Sequence, residues 1–265
     1  VGWPRSYHYP FNMNGYEGNP GEYLTDRLTD EALNYIEQNS DNPFFLYMAH
    51  FAVHDPVQGR KDLVKKYRKK LATIPQSQGK QYILEGNPDD KNPLSRQQLD
   101  ELIETDDYQG YKVLPNRAVK IRQHQDNIEF AAMVESMDES LGRIMTKIKE
   151  LEIENNTIII FVSDNGGMSA ANLNNPKRVI SMDELEKEYP TSNLPLRGSK
   201  GWMYEGGIRV PMIVKYPGVT EGGTICEVPV ISNDFYNTIA EMTGSTIPVG
   251  KKTEGVSIIP LLENK

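Results

Sequence analysis

The stretch IIIFVSDNGG at residues 158–167 runs five apolar residues straight into Ser163, Asp164, Asn165, Gly166 and Gly167. Two readings compete for it. Asn-Gly between two strands is a strong hairpin signal. The following segment, GMSAANLNNPKR, neither alternates nor carries a β-branched run, so a returning strand is disfavoured. The other reading is a buried strand of a parallel sheet, whose carboxyl end opens on a ligand crevice. Asp164 and Asn165 would then stand at that end. Both offer hard oxygen ligands that suit Ca2+ or Mg2+, and the glycines behind them let the backbone turn away sharply. Asp-Asn-Gly is also common in plain turns, so the reading needs support from elsewhere in the chain.

Working outward, the pattern is α/β. Leu24, Leu28, Ala32 and Tyr35/Ile36 recur at helical spacing after Pro20, which suits a helix's first turn. NSDNP (39–43) ends that helix, and the apolar run FFLYMAHF (44–51) reads as a strand buried on both faces. Residues 60–71 predict an exposed basic helix. Residues 72–117 predict a surface insertion with a helix near 95–104. The longest helix is expected over 118–150, with Val134, Met137, Leu141, Ile144 and Ile148 as its buried stripe. TIIIFVS (157–163) and VPMIVKYPG (210–218) read as strands. SNDFYNTIAEMTG (232–244) reads as a helix with Asp234 at its N-cap and Gly244 as its stop. Residues 1–19, aromatic and Gly/Pro-rich without a period, predict an irregular opening and raise the expectation of a preceding segment.

Bulk properties narrow the function. The chain has 265 residues and a formal net charge of −8, which argues against a nucleic-acid binder. No apolar run is long enough to span a bilayer. The single cysteine, Cys226, excludes an internal disulfide and reads as a semi-buried bystander.

Two further stretches bear on the site. AHFAVHDP (49–56) closes the apolar run with His50 and His54. Their i, i+4 spacing would pair them on a helix, but the preceding strand and Pro56 oppose one. His50 is expected to be a packed histidine. His54 falls just past the strand end, where an acid or an anion-binding group would sit, although a structural role is equally open. PLRGSKGWMYEGGIRVPMIV (195–214) holds Arg197 and Lys200 in a Gly-flanked loop that leads into a strand. It does not match the phosphate loop G-x-x-x-x-G-K-[ST]. Small residues beside a cation suit close approach of an anion; an exposed basic loop is the plain alternative. Arg209 is read as an ion-pair partner.

FFLYMAHFAVHDP, FVSDNGG and LRGSKGWMYEGGIRVPMIVKYPG, in that order, together resemble the sulfatases of the alkaline-phosphatase superfamily. The likeness extends to EFAAMVESMDESLGRI, ISNDFYNTIAEMTG and EGVSIIPLL. It implies an α/β fold with a mostly parallel (mixed) sheet between helix layers, and sulfate-ester hydrolysis. It places Asp164 and Asn165 at the family's divalent-cation position, usually Ca2+. His54 and Lys200 match the groups that contact the sulfate, with Arg197 beside them. The family's formylglycine precursor, C-x-P-S-R or S-x-P-S-R, does not occur in this sequence, nor does its early Asp-Asp pair. The resemblance therefore implies residues 1–265 as a partial sulfatase catalytic domain, inactive alone and binding Ca2+ weakly. The expected ligand is a sulfated small molecule or glycan, the expected location periplasmic or secreted, and self-association through exposed strands is expected. Two rivals remain: a non-catalytic anion- or glycan-binding module on the same fold, and a phosphodiesterase or phosphonate hydrolase of the superfamily. The second would need more His and Asp ligands than the four histidines provide.

Overall fold

A computed structural model describes residues 3–75, 77–86, 90–102, 118–171 and 189–263. The elements in chain order are α1 (Leu24–Asn39), α2 (Lys61–Leu71), β1 (Tyr82–Gly86), α3 (Arg96–Leu102), β2 (Ala118–Arg122), α4 (Ile128–Glu150), β3 (Ile159–Val162), β4 (Ala170–Ala171), α5 (Glu205–Ile208), β5 (Met212–Lys215), α6 (Asp234–Met242) and α7 (Ile259–Leu262). The chain forms two compact units. The first is Val1–Leu151 with Ser163–Pro211; the second is Glu152–Val162 with Met212–Lys265.

The first unit is built on α1, α2 and α4. Its main core joins Tyr7, Phe11, Met13, Tyr23, Leu24, Val57 and Met133. The opening segment is irregular, as expected, yet its aromatics fill this core. Its backbone is tied to the start of α1, where Leu24 N donates to Tyr7 O at 2.8 Å. Helix α1 begins at Leu24, so Pro20 lies in the turn before it rather than in its first turn. Helix α2 is basic and mostly exposed, but it buries Leu63 and Val64 against Ala132 of α4. A Cβ on Gly59 would sit 2.6 Å from that of Ala132, so glycine lets the chain pass close to α4 here.

Helix α4 corrects two expectations. It starts at Ile128, because Asn127 caps it by accepting a hydrogen bond from Phe130 N at 2.8 Å. Residues 118–122, read as helix, are instead β2; AVKIR alternates in the strand period. The buried face of α4 is Ala132, Met133, Ser136, Ser140 and Ile148. Of the expected stripe only Ile148 is buried, and Val134 is exposed. The face turned to α1 is polar and small, with Thr29 Oγ1 donating to Ser140 Oγ at 2.6 Å. A hydrophobic periodicity count cannot see such a face.

The described ladders are antiparallel. β1 pairs with β2, β2 with β4, and, in the second unit, β3 with β5 in the register Ile159 to Lys215. The parallel pairing expected for the sheet is not among them. β1, with Tyr82 and Leu84 fully buried, lies in the stretch expected to be a surface insertion. Helix α3 matches the helix expected near 95–104, and residues 103–117 lie outside the described ones. Residues 44–51, expected to be a strand, form no helix or strand and carry no ladder partner among the described residues. Phe45 and Tyr47 are 69% and 82% exposed instead of buried.

In the second unit, α6 begins at Asp234 and its N-cap is Asn233. Asp234 works differently from a cap. Its carboxylate accepts from Ile231 N at 3.0 Å and from Val256 N at 2.9 Å, and these two amides hold its pKa below the usual carboxylate value. Gly244 follows α6 with φ +66°, the left-handed stop expected there. Cys226, expected to be semi-buried, is exposed. Among the described residues no helix is long and apolar enough to cross a membrane.

His50 yields a pH prediction. Its ring is partly buried, with Nε2 3.5 Å from Ser140 Oγ, and burial lowers its pKa below the ordinary histidine value. The folded state thus favours neutral imidazole. The unfolded chain takes up a proton as pH falls through about 6.5, and there it binds more protons than the native state. Stability from His50 is therefore fully present above about 6.5 and is lost as pH drops from there toward the folded pKa. Chemical denaturation at a series of pH values should show a steeper acid-side loss for the wild type than for His50→Gln. Parallel curves would contradict this.

Candidate active site

The five candidate residues, His54, Asp164, Asn165, Arg197 and Lys200, fall in the first unit. His54 follows the 44–51 segment in a loop held from two sides. His54 N donates to Phe51 O at 3.0 Å, and its carbonyl accepts from Tyr7 Oη at 3.1 Å. Burial, then Tyr23 and Asp55, push the Tyr7 phenol far above its ordinary pKa, so it remains a donor. Gln58 Oε1 accepts from Tyr7 N at 2.9 Å, which ties the opening segment to the same loop. Trp3 packs on the His54 ring at 4.5 Å between centroids and on Phe51 at 5.4 Å.

Lys200 arrives from a different part of the chain. Its Nζ lies 2.8 Å from His54 Nε2, across a sequence separation of 146. The loop that delivers it is interlocked with the Ser-Asp-Asn-Gly-Gly turn. Lys200 N donates to Gly167 O at 3.1 Å, Gly166 N to Gly207 O at 2.9 Å, and Gly206 N to Arg197 O at 2.7 Å. Ser199 Oγ accepts from Ser169 N and Ala170 N and donates to Gly167 O at 3.1 Å. The glycines permit this closeness. A Cβ on Gly206 would stand 2.6 Å from Arg197 O, and one on Gly166 would collide with Gly206 O.

Asn193 is the hub of these loops and was not singled out in the sequence. Its Oδ1 accepts from Gly167 N at 3.2 Å. Its Nδ2 donates toward the carbonyls of Gly206 at 2.8 Å, Gly167 at 2.9 Å and Gly198 at 3.2 Å. A lone asparagine in a loop leaves no periodic signal. Replacing it with alanine removes these partners together and should cost roughly 2–3 kcal/mol. Replacing it with aspartate should cost at least as much, because a carboxylate cannot donate to carbonyls. Urea unfolding of both variants checks the order.

The remaining candidates are placed less centrally. Asp164 is exposed and Asn165 half-buried. Neither side chain has a hydrogen-bond or ion-pair partner among the described residues. Two unengaged oxygen donors side by side have the chemistry for a hard cation. Yet no group of three or more His, Cys, Asp or Glu able to hold a metal occurs among the described residues. A Ca2+ shell takes six to eight oxygens, so these two residues do not make such a site alone. Arg197 stacks on Tyr204 at 4.0 Å from its ring centre and faces Glu85 Oε2 at 3.5 Å. Its guanidinium is engaged by these two residues. Arg209 pairs with Glu205 at 3.4 Å on the surface. His50, expected to be packed, is the partly buried neighbour of Ser140.

What converges is a cation, an imidazole and a turn carrying free oxygens, held by backbone hydrogen bonds among glycines. The chain is similar to known proteins. The family model for Sulfatase matches residues 3–245. A sulfatase of Formosa agariphila is 30% identical over 262 residues, covering 94% of this chain and 35% of that protein. Human steryl-sulfatase is 27% identical, covering 96% of this chain and 33% of that protein. The chain thus spans about a third of the length of these relatives. Among solved structures, Ps i-CgsB superposes with a TM-score of 0.60 at 25% identity, covering 96% of this chain and 41% of that one. The same protein has been crystallised with k-i-k-neocarrahexaose. The interlocked loops, the Lys200–His54 pair and this family match lead to one conclusion: the chain belongs to the sulfatase family.

Proposed function

We propose that this chain carries the oxyanion-holding half of a sulfuric ester hydrolase. The observation that supports it most is Lys200 Nζ at 2.8 Å from His54 Nε2. A sulfate monoester is anionic, and charge builds on its bridging oxygen as the ester bond breaks. A positioned ammonium and imidazole would balance that charge and serve the departing alcohol. Arg197 is proposed as an outer substrate contact that must first leave Glu85. Asp164 and Asn165 are proposed to contribute to a Ca2+ site completed in the intact protein by residues outside this chain.

The nucleophile is the missing element. We infer from the family resemblance that the intact protein uses a formylglycine; its precursor pattern does not occur in these 265 residues. A sulfated carbohydrate is the proposed substrate class, supported by the carbohydrate complex of the Ps i-CgsB relative. A periplasmic or secreted location is proposed from the family resemblance. Residues 1–265 are proposed to act as one partial catalytic domain.

Three measurements test this. Inorganic sulfate titrated into the chain should perturb the His54 ring saturably, and Lys200→Ala should weaken that binding by roughly tenfold or more, the worth of a charge-assisted hydrogen bond. The chain with added Ca2+ should not turn over an aryl sulfate. In the intact protein, Lys200→Ala should cut kcat/KM by about 10²–10³. Sulfate binding that ignores Lys200 would remove the oxyanion reading; turnover by the 265-residue chain would remove the half-site reading.

A further inference from the structure

His54 is constrained at both nitrogens. Nδ1 faces two acceptors, both from Asp55: the carboxylate Oδ1 at 2.5 Å and the main-chain oxygen at 3.3 Å. Nε2 faces a group that can only donate, the Lys200 ammonium at 2.8 Å. A neutral imidazole has one N–H and one lone pair. Acceptors on one side and an obligate donor on the other are compatible with a single tautomer, protonated at Nδ1.

We propose that Asp55 is a positioning residue that holds the proton of His54 on Nδ1 and so aims Lys200. With the lone pair kept at Nε2, Lys200 uses one of its three N–H donors on His54. Its other two have no partner among the described residues and are left for an oxyanion. A free histidine side chain favours the opposite tautomer, with the proton on Nε2. Without the Asp55 carboxylate that preference returns, an N–H then points at the ammonium, and the pair separates. The rest of the surroundings do not set the tautomer. Trp3 touches the ring through aromatic contact, while Tyr7 and Phe51 hold the main chain of His54 rather than its ring nitrogens. Asp55 touches neither the anion nor the reacting atoms in this scheme. It acts through His54 as carboxylates hydrogen-bonded behind a histidine do elsewhere. The role of the pair rests on the sulfate-binding reading above; the tautomer does not.

The test is histidine-selective 15N NMR of the 265-residue chain, above the ordinary imidazole pKa of about 6.5, with the His54 signals assigned from His54→Gln. The wild type should show a protonated, pyrrole-type Nδ1 and a pyridine-type Nε2. Asp55→Ala should move His54 toward the Nε2–H form and weaken inorganic sulfate binding by roughly five- to tenfold, about one net hydrogen bond. Asp55→Asn keeps an acceptor oxygen, so it should retain the wild-type tautomer and most of the affinity, and far-UV circular dichroism should be native for both. A merely structural Asp55 would alter stability without moving the 15N pattern. The proposal is overturned if wild-type His54 carries its proton on Nε2, or if Asp55→Ala and Asp55→Asn give the same tautomer. Should the tautomer respond as expected while sulfate fails to bind the wild type, the positioning role stands and the oxyanion reading fails.

Discussion

Gly206→Ala is expected to lower the unfolding free energy by at least ~3 kcal/mol, and Gly166→Ala by a similar amount. A new Cβ at Gly206 would meet the carbonyls of Gly198 and Arg197, the latter at 2.6 Å; one at Gly166 would meet Gly206 O. The obstacles are backbone atoms in three strands of loop held to one another by Gly166 N to Gly207 O, Gly206 N to Arg197 O and Lys200 N to Gly167 O. A flexible side chain can swing away from an added methyl, whereas these carbonyls move only if the loops part and their hydrogen bonds break. Overpacking against side chains typically costs 1–3 kcal/mol, so these substitutions should fall at or beyond the top of that range. Gly142, by contrast, lies in α4 with open space where its Cβ would go. Gly142→Ala should be neutral or stabilising by up to about 1 kcal/mol, as expected for glycine in a helix interior. Urea denaturation of the three variants gives the comparison. Equal stabilities for Gly206→Ala and Gly142→Ala would mean that the interlock does not hold the first unit together. If the interlock holds, Gly206→Ala should also lose sulfate affinity, because the same loop delivers Lys200 to His54.

This interlock separates what the sequence made legible from what it did not. The glycines of Ser-Asp-Asn-Gly-Gly and Glu-Gly-Gly were readable as turns, but that the two turns press against each other was not. It depends on a meeting of residues some forty positions apart in the chain. Lys200 and His54 could be matched through a family resemblance and converge at 2.8 Å. Composition alone left His54 an even choice between function and packing. Helices α1, α2 and α6 and strands β3 and β5 were legible, since each has a clean period or a stop such as Gly244. The α4 stripe failed because the helix buries Ser136 and Ser140 toward α1, reversing the rule that apolar means inside. β1 failed because Gly, Pro and Asp on either side outweighed its five-residue alternation. Asp55 and Asn193 are single polar side chains whose importance lies in what faces them. Only coordinates supply that.

The segment 44–51 leads to the prediction with the other large effect. In a buried strand, FFLYMAHF would be covered on both faces and paired at both edges. Here it has no ladder among the described residues, and Phe45 and Tyr47 are 69% and 82% exposed. Its backbone contact from a side chain is Tyr35 Oη to Phe45 O at 3.4 Å, close to the outer limit of a hydrogen bond. A run of unpaired amides and carbonyls flanked by large apolar side chains is a template for strand addition. Copies of the 265-residue chain are therefore expected to associate as concentration rises, with light scattering giving a mean mass above the 30.0 kDa of one chain. Replacing Phe45 and Tyr47 together with lysine leaves the main chain unchanged but removes the apolar contacts and adds like charges that oppose stacking. That double variant should return the mass toward a single chain. Its sulfate binding should persist, because neither side chain belongs to the His54–Lys200 pair. A single-chain mass for the wild type across the accessible concentrations would show that the segment is covered in some other way, and association unchanged in the lysine variant would locate the contact elsewhere. Loss of sulfate binding in that variant would mean that the 44–51 segment sets the position of His54 as well as leading the chain to it.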